Sequence, residues 1–377
     1  MIYFDYASTA PADPRILELY TSTLREQFAN SESHHPLGVE VSKLLERSRR
    51  KTAALLRVEP KEILFTSGAC EANSLAIKGY ALSHRSKGNH LITTAVEHSS
   101  VLNSMKQLEE VFGFDVTYLG VNAEGKIDPE ELRRAFRKDT ILVSVMMVNN
   151  EMGSIMPIDE IKQVMKEHPG VRLHMDGVQA LAKMEIDLDG IDMCVFAAHK
   201  IHGLKGCGVL VKKKNIDLIP LVSGGDQEFG LRGGTENAVN YAMFGDTLEY
   251  ALERMRGGKE HVKELNAYLR ERFGAMDKVE INSPEDAIPY ILNISCMNLP
   301  SEVHMNALGK EGFCVSSHST CHTGDGVLSY VAKEMGITGN RQKGILRISL
   351  SEDTTMEECE QLCDAIKENM KKYGIRK

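Results

Sequence analysis

The sequence predicts an α/β protein: a mostly parallel central sheet sandwiched by helices, with a smaller α+β domain beside it. Three observations predict this. Strand-like and helix-like segments alternate through the middle of the chain, the segment from Thr140 to Val148 is apolar enough to be buried on both faces, and the texture changes after Leu221. At 377 residues the chain exceeds what one hydrophobic core serves. A large domain is expected over residues 16–249, with 1–15 and 250–377 forming the small one.

The alternation runs in order. Ile63-Leu-Phe-Thr66 is a short apolar strand, followed by a helical pattern from Cys70 to Leu82. His90 to Val96 (strand), Val101 to Phe112 (helix) and Val116 to Leu119 (strand) come next. Asp128 opens a helix with Glu131 at capping-box spacing, and Thr140 to Val148 is the central strand. A helix over Ile158 to Lys166 precedes strands at Val171 to Met175 and Met193 to Phe196. Beyond the glycine-rich stretch 223–235, helical patterns cover Asn237 to Arg256 and Lys259 to Phe273. Strands are expected near Glu280, Ile291 and Leu346, and a terminal helix from Thr354.

Composition narrows the function. Forty-five basic against 53 acidic residues leave a formal charge of −8, which argues against nucleic acid or an acidic membrane surface as partner. Met1-Ile-Tyr-Phe-Asp-Tyr6 has neither the basic nor the apolar stretch of a secretory leader. The strongly apolar run from Ile141 to Val148 is far shorter than the roughly 20 residues that cross a bilayer. A soluble, cytoplasmic protein is expected, and its eight cysteines form no CxxC pair, so reduced thiols are the default. Cys359 and Cys363 share a helical stripe with Leu362, Ile366 and Met370 and read as core. Cys321 differs, standing among Ser316, Ser317, His318, Ser319, Thr320 and His322 in a polar loop.

Three pieces carry chemistry. Thr66-Ser-Gly-Ala-Cys-Glu71 sets small residues between a strand end and a helix start, where free N–H groups suit a phosphate. Leu173-His-Met-Asp176 sets an acid at a strand end, able to hold a pyridine nitrogen protonated. Phe196-Ala-Ala-His-Lys200 places a lysine after the next strand, where it could form a Schiff base. Each alone has a plain alternative: an ordinary turn, a capping aspartate, a solvated lysine. Their order on one sheet fits a pyridoxal-phosphate site.

The residues resemble those of the cysteine desulfurases, a branch of the fold-type-I pyridoxal-phosphate enzymes related to class-V aminotransferases. The likeness runs nearly end to end, through Phe4-Asp-Tyr-Ala-Ser-Thr-Ala-Pro11, Glu97-His98, Val148-Asn-Asn-Glu-Met-Gly153, Arg232-Gly-Gly-Thr235, Ser316-Ser-His-Ser-Thr-Cys321 and Leu346-Arg-Ile-Ser-Leu350. The resemblance implies Lys200 as the Schiff-base lysine, Asp176 on the ring nitrogen, Gln179 and Asn150 on the ring hydroxyl, and His98 on the ring face. It implies Ala69, Cys70 and His199 around the phosphate, Thr235 reaching the phosphate of a neighbouring subunit in a homodimer, and Arg347 with Asn30 and Asn150 on the substrate carboxylate. Cys321 would take sulfur from L-cysteine as a persulfide, releasing alanine. The acceptor would be a sulfur-carrier protein, an iron–sulfur scaffold or a tRNA-thiolation protein, and no metal site is expected. A selenocysteine lyase, another class-V lyase or aminotransferase, or a non-catalytic scaffold are the alternatives.

Three positions depart from that family. Cys70 stands where a threonine is usual, Ala197 where serine or threonine is usual, and His318 where glycine is usual. The first two remove hydroxyl donors to the phosphate, and a hydrogen bond to a charged group contributes about 1.5–3 kcal/mol. A cofactor that leaves more easily than usual is expected.

Overall fold

A computed structural model describes residues 1–317 and 328–375. It opens on a two-residue strand, β1 (Ile2–Tyr3). Seven strands follow and build the main sheet: β2 (Ile63–Thr66), β3 (His90–Thr94), β4 (Asp115–Leu119), β5 (Thr140–Met146), β6 (Arg172–Asp176), β7 (Met193–Ala197) and β8 (Gly208–Lys212). Their order is β2-β8-β7-β6-β5-β3-β4. The pairs among β3 to β7 are parallel, and β8 runs antiparallel between β2 and β7. Every residue of β2, β3, β5, β7 and β8 is buried, so helices cover both faces, as the apolar patterns require.

The antiparallel β8 is what the sequence conceals. Its residues follow a glycine-rich run that reads as a loop, and its apolar pattern is too short to reveal a direction. The helix after β2 starts at Ala69 and continues to Ser83 through a π-helical stretch, Leu75–Gly79. The expected capping box at Asp128 does not form; the Asp128 carboxylate accepts from the Glu130 N–H at 2.9 Å instead.

Four further strands lie in the second half: β9 (Val279–Ile281), β10 (Ile291–Cys296), β11 (Phe313–Cys314) and β12 (Ile345–Ser349). β10 is flanked antiparallel by β12 and β9, while β11 pairs in parallel with β1. The chain's first residues thus attach to its last third, an arrangement Asp5 extends by bridging Ser349.

The two helical patterns expected on either side of Gly257-Gly258 form one 37-residue helix, Ala238–Gly274. An interior glycine costs a helix about 1 kcal/mol, too little to break one packed along its length. Gly258 is there for closeness: a Cβ on it would come to 2.4 Å from the Glu352 Cγ. The helix packs on Pro36–Leu56 at one part and on β9, β10 and the terminal helix Met356–Tyr373 at another. Cys359 and Cys363 of that terminal helix are buried in the core. Among the described residues, no helix is long and apolar enough to cross a membrane.

Candidate active site

The strands β5 and β6 end in register, Met146 beside Asp176, and β2 and β7 both end against Gly208, the first residue of β8. This shared edge borders a cavity of about 550 Å³, within the range of small-molecule sites. Ala69, Cys70, His98, Asn150, Asp176, Gln179, His199, Lys200 and Arg347 all line it. Residues up to 278 positions apart are thereby brought to one place.

Asp176 is almost fully buried, its carboxylate accepting from the Val178 N–H at 3.0 Å and the Asn73 amide at 2.8 Å. Among the described residues no basic side chain forms an ion pair with it. A buried carboxylate facing a cavity is costly unless a partner is supplied. Glu97 lies behind it, fully buried, its pKa pushed up to about 8 by burial despite bonds from Thr94 and the Met146 N–H. Glu97 is therefore mainly neutral at pH 7.

Lys200 closes a single 3₁₀ turn, Ala198–Lys200, directly after β7. Its amine donates to the Ala7 and Ser8 carbonyls at 2.7 and 2.6 Å. The Gln179 amide donates to the same Ala7 carbonyl at 2.9 Å, and its oxygen accepts from Lys183 at 2.9 Å.

Gly68 adopts φ 153°, ψ 177°, a conformation open essentially to glycine. Gly208 seats against it: a Cβ there would fall 2.6 Å from the Gly68 carbonyl carbon. This packing presents Gly68, Ala69 and Cys70 to the cavity at the start of a helix. Across from them His199 shares a 3.2 Å hydrogen bond with Thr9, and burial, with the Lys200 charge adding, pushes its basicity down to about 4. His199 is accordingly uncharged at neutral pH and can serve as a hydrogen-bonding group. Ala197 is buried at the end of β7 and does not line the cavity.

His98 caps the helix Ser99–Glu110, accepting from the Ser100 N–H at 3.2 Å, which fixes its ring at the rim. Arg347 is 2% exposed and donates to the Asn150 carbonyl, to Asp5 at 2.9 Å and to the Ser8 hydroxyl at 2.6 Å. Its Nε has no partner among the described residues. Asn150 reaches the guanidinium through its backbone oxygen, so its side-chain amide is not spent on that contact.

Asn30 and Thr235 are both exposed, and the structure does not bring them to the cavity of their own chain. Cys321, with His318 and His322, lies outside the described residues. The sequence reading assigns no role to Asn73, Glu97, Lys183 or the Ala7–Ser8 backbone. Glu97 and the N-terminal run stand within the quoted family landmarks, but Asn73 and Lys183 carry no local signal.

A model of the class-V aminotransferase family matches residues 2–362. The chain is 38% identical to a NifS/IcsS protein homolog of Lactobacillus delbrueckii subsp. bulgaricus, covering 98% of this chain and 97% of the other. It is 36% identical to the cysteine desulfurase IscS of Dictyoglomus turgidum, covering 98% and 95%. Among solved structures, a NifS-like protein aligns with TM-score 0.93 at 33% identity over 98% and 99% of the two chains. SspA in complex with cysteine aligns with TM-score 0.83 at 32% identity over 94% and 100%.

Proposed function

The chain belongs to the class-V aminotransferase family, and on that premise we propose that it is a pyridoxal-phosphate-dependent cysteine desulfurase in which Cys321 receives the sulfur. The single observation that carries the reading is the meeting of Asp176 and Lys200 in one cavity with a glycine-built turn. The residues present fit the cofactor. Asp176 offers an uncompensated carboxylate to a protonated ring nitrogen, and Lys200 an amine for the aldehyde. Ala69, Cys70 and uncharged His199 offer hydrogen-bonding groups to a phosphate, while His98 would face the ring and Gln179 and Asn150 would bond its hydroxyl. When bound, the cofactor draws electrons from the carbons of an attached amino acid.

The chain's own groups do the rest. Asp176 would hold the ring nitrogen protonated, and neutral Glu97 behind it adds no competing charge. The Lys200 amine would carry the proton at the substrate Cα, with His98, which lines the same cavity, able to assist. Arg347 holds the substrate carboxylate by its guanidinium fork. The Cys321 thiolate then forms an S–S bond to the substrate sulfur as the substrate's Cβ–S bond breaks. The carbon takes up a proton and departs as alanine, leaving a persulfide on the enzyme.

The flanks of the Cys321 segment support its part. Ser316 pairs with the Arg347 backbone and donates to Asp5 at 2.8 Å, and Ser329 donates to Glu151, next to Asn150. Cys321 is four positions beyond Ser317, a reach of at most about 14 Å. The exposed Thr235 suits a homodimer in which it reaches the partner's phosphate, and exposed Asn30 would join a substrate site in the same way. The sulfur passes to an acceptor protein, in a cytoplasmic setting.

Incubation of the purified protein with L-cysteine tests this reading. Alanine should form in step with persulfide on Cys321, and Cys321→Ser should lose both; cysteine turnover to alanine that persists in the serine variant would overturn the role of Cys321.

A further inference from the structure

Behind the Lys200 side, away from the main cavity, lies a second, much smaller one of about 20 Å³, room for one water. Lys183 and Lys200 both line it, together with Tyr6, His202, Arg254 and Glu352. Lys183 is buried, and no carboxylate forms an ion pair with it among the described residues. Its amine donates to the Gln179 Oε1 at 2.9 Å, while the Gln179 Nε2 donates to the Ala7 carbonyl, which also accepts from Lys200 at 2.7 Å. The four groups form one connected line from a buried amine to the amine that carries the chemistry.

A side-chain amide can turn over, exchanging its oxygen for its nitrogen, and only its neighbours decide which end faces where. We propose that Lys183 is a positioning residue for this site: it holds the Gln179 amide with its N–H end toward the Ala7 carbonyl and the cofactor cavity, and so keeps the Lys200 amine docked beside it. The lysine ammonium donates and cannot accept, so the end of the Gln179 amide it holds is the oxygen. The geometry has a stability cost that a purely structural residue would avoid. Burial, with the Lys200 charge adding and Glu352 opposing, pushes the Lys183 amine down to about 7, and a methionine would fill the same space without that penalty.

The inference rests on the cofactor reading above, and its test is made without cysteine so that the two can fail separately. Lys183→Met, Lys183→Arg and Gln179→Glu would be prepared in the full chain. Pyridoxal-phosphate affinity and the pH midpoint of the visible absorption band would then be measured against the natural protein. Lys183→Met should bind the cofactor about tenfold more weakly, the loss of roughly one well-placed hydrogen bond, and shift the band's midpoint. Lys183→Arg, which restores a donor, should recover most of both. Gln179→Glu keeps an oxygen toward Lys183 but turns another toward Ala7, and should weaken binding at least as much as Lys183→Met. Should Lys183→Met match the natural protein in affinity and midpoint, or Lys183→Arg be as impaired as Lys183→Met, the positioning role is wrong. If Lys183→Met does not fold, Gln179→Glu decides: natural affinity in that variant overturns the proposal. A natural protein that binds the cofactor but makes no alanine defeats the desulfurase reading and leaves this test standing.

Discussion

Cys70 shows how a single side chain sets the strength of the phosphate cup. It lines the cavity where a hydroxyl would donate, and a thiol donates weakly. Cys70→Thr should therefore slow cofactor loss, with a gain of about 1.5 kcal/mol, near tenfold in dissociation constant, measured by dialysis and rebinding. Ala197→Ser should gain less, because residue 197 does not line the cavity. Lys183 makes a second prediction, on stability. Its ordinary value is 10.5 and its folded value about 7, so between them the unfolded chain holds more protons and stability rises with pH. That rise should flatten in Lys183→Met. The variant should also be more stable at neutral pH by about 2 kcal/mol, a penalty of roughly 4 kcal/mol relieved against about 1–3 kcal/mol for the Gln179 oxygen left without a donor. Thermal unfolding of the cofactor-free proteins across pH would decide it. Neither Asn73 nor Lys183 was legible from the sequence: Asn73 meets Asp176 across 103 positions, and the Lys183–Gln179 contact, though four positions long, lies buried in a turn without a periodic pattern.

At the scale of elements, the turn at Gly68 and the start of β8 act as one piece. Gly208→Ala would drive a methyl group to 2.6 Å from the Gly68 backbone, and backbone there has nowhere to move. The turn should be displaced and cofactor affinity should fall at least tenfold, a cost of 1–3 kcal/mol typical of overpacking, read by titrating the cofactor-free protein. The strands that carry the site, β2, β5, β6 and β7, were legible because each is apolar, bounded and followed by the residue that matters. β8 was not, and neither were β1 and β11: two-residue strands have no period, and only pairing across the chain makes them strands at all. Arg347 was placed by resemblance, whereas its ties to Asp5 and Ser8 depend on β1 having joined β11.

For the whole molecule, the first ten residues tie the seven-stranded sheet to the three-stranded one. Phe4 accepts from the Ser349 N–H, Asp5 pairs with Arg347, Ala7 takes Lys200 and Gln179, and Ala10 donates to the His199 carbonyl. Removing residues 1–8 should leave Arg347 buried without its carboxylate, at a cost of about 3–5 kcal/mol, and should abolish stable cofactor retention even though no residue of the phosphate turn is touched. Unfolding and absorbance measured on the truncated protein would show whether both losses occur together. The mostly parallel sheet flanked by helices followed from composition and alternation; the antiparallel pairing of β9, β10 and β12 and the reach of the N-terminus did not, because nothing local foretells which distant strand a short segment will meet.

The unbroken helix Ala238–Gly274 has a mechanical meaning. At 1.5 Å per residue it is a rod of about 55 Å, gripped near one end by Pro36–Leu56 and near the other by β9 and β10. A beam clamped at both ends resists folding in its middle, where Gly258 is wedged on Glu352. Opening and shutting around a bound amino acid must then fall to short surface stretches instead of a jackknife of the two halves.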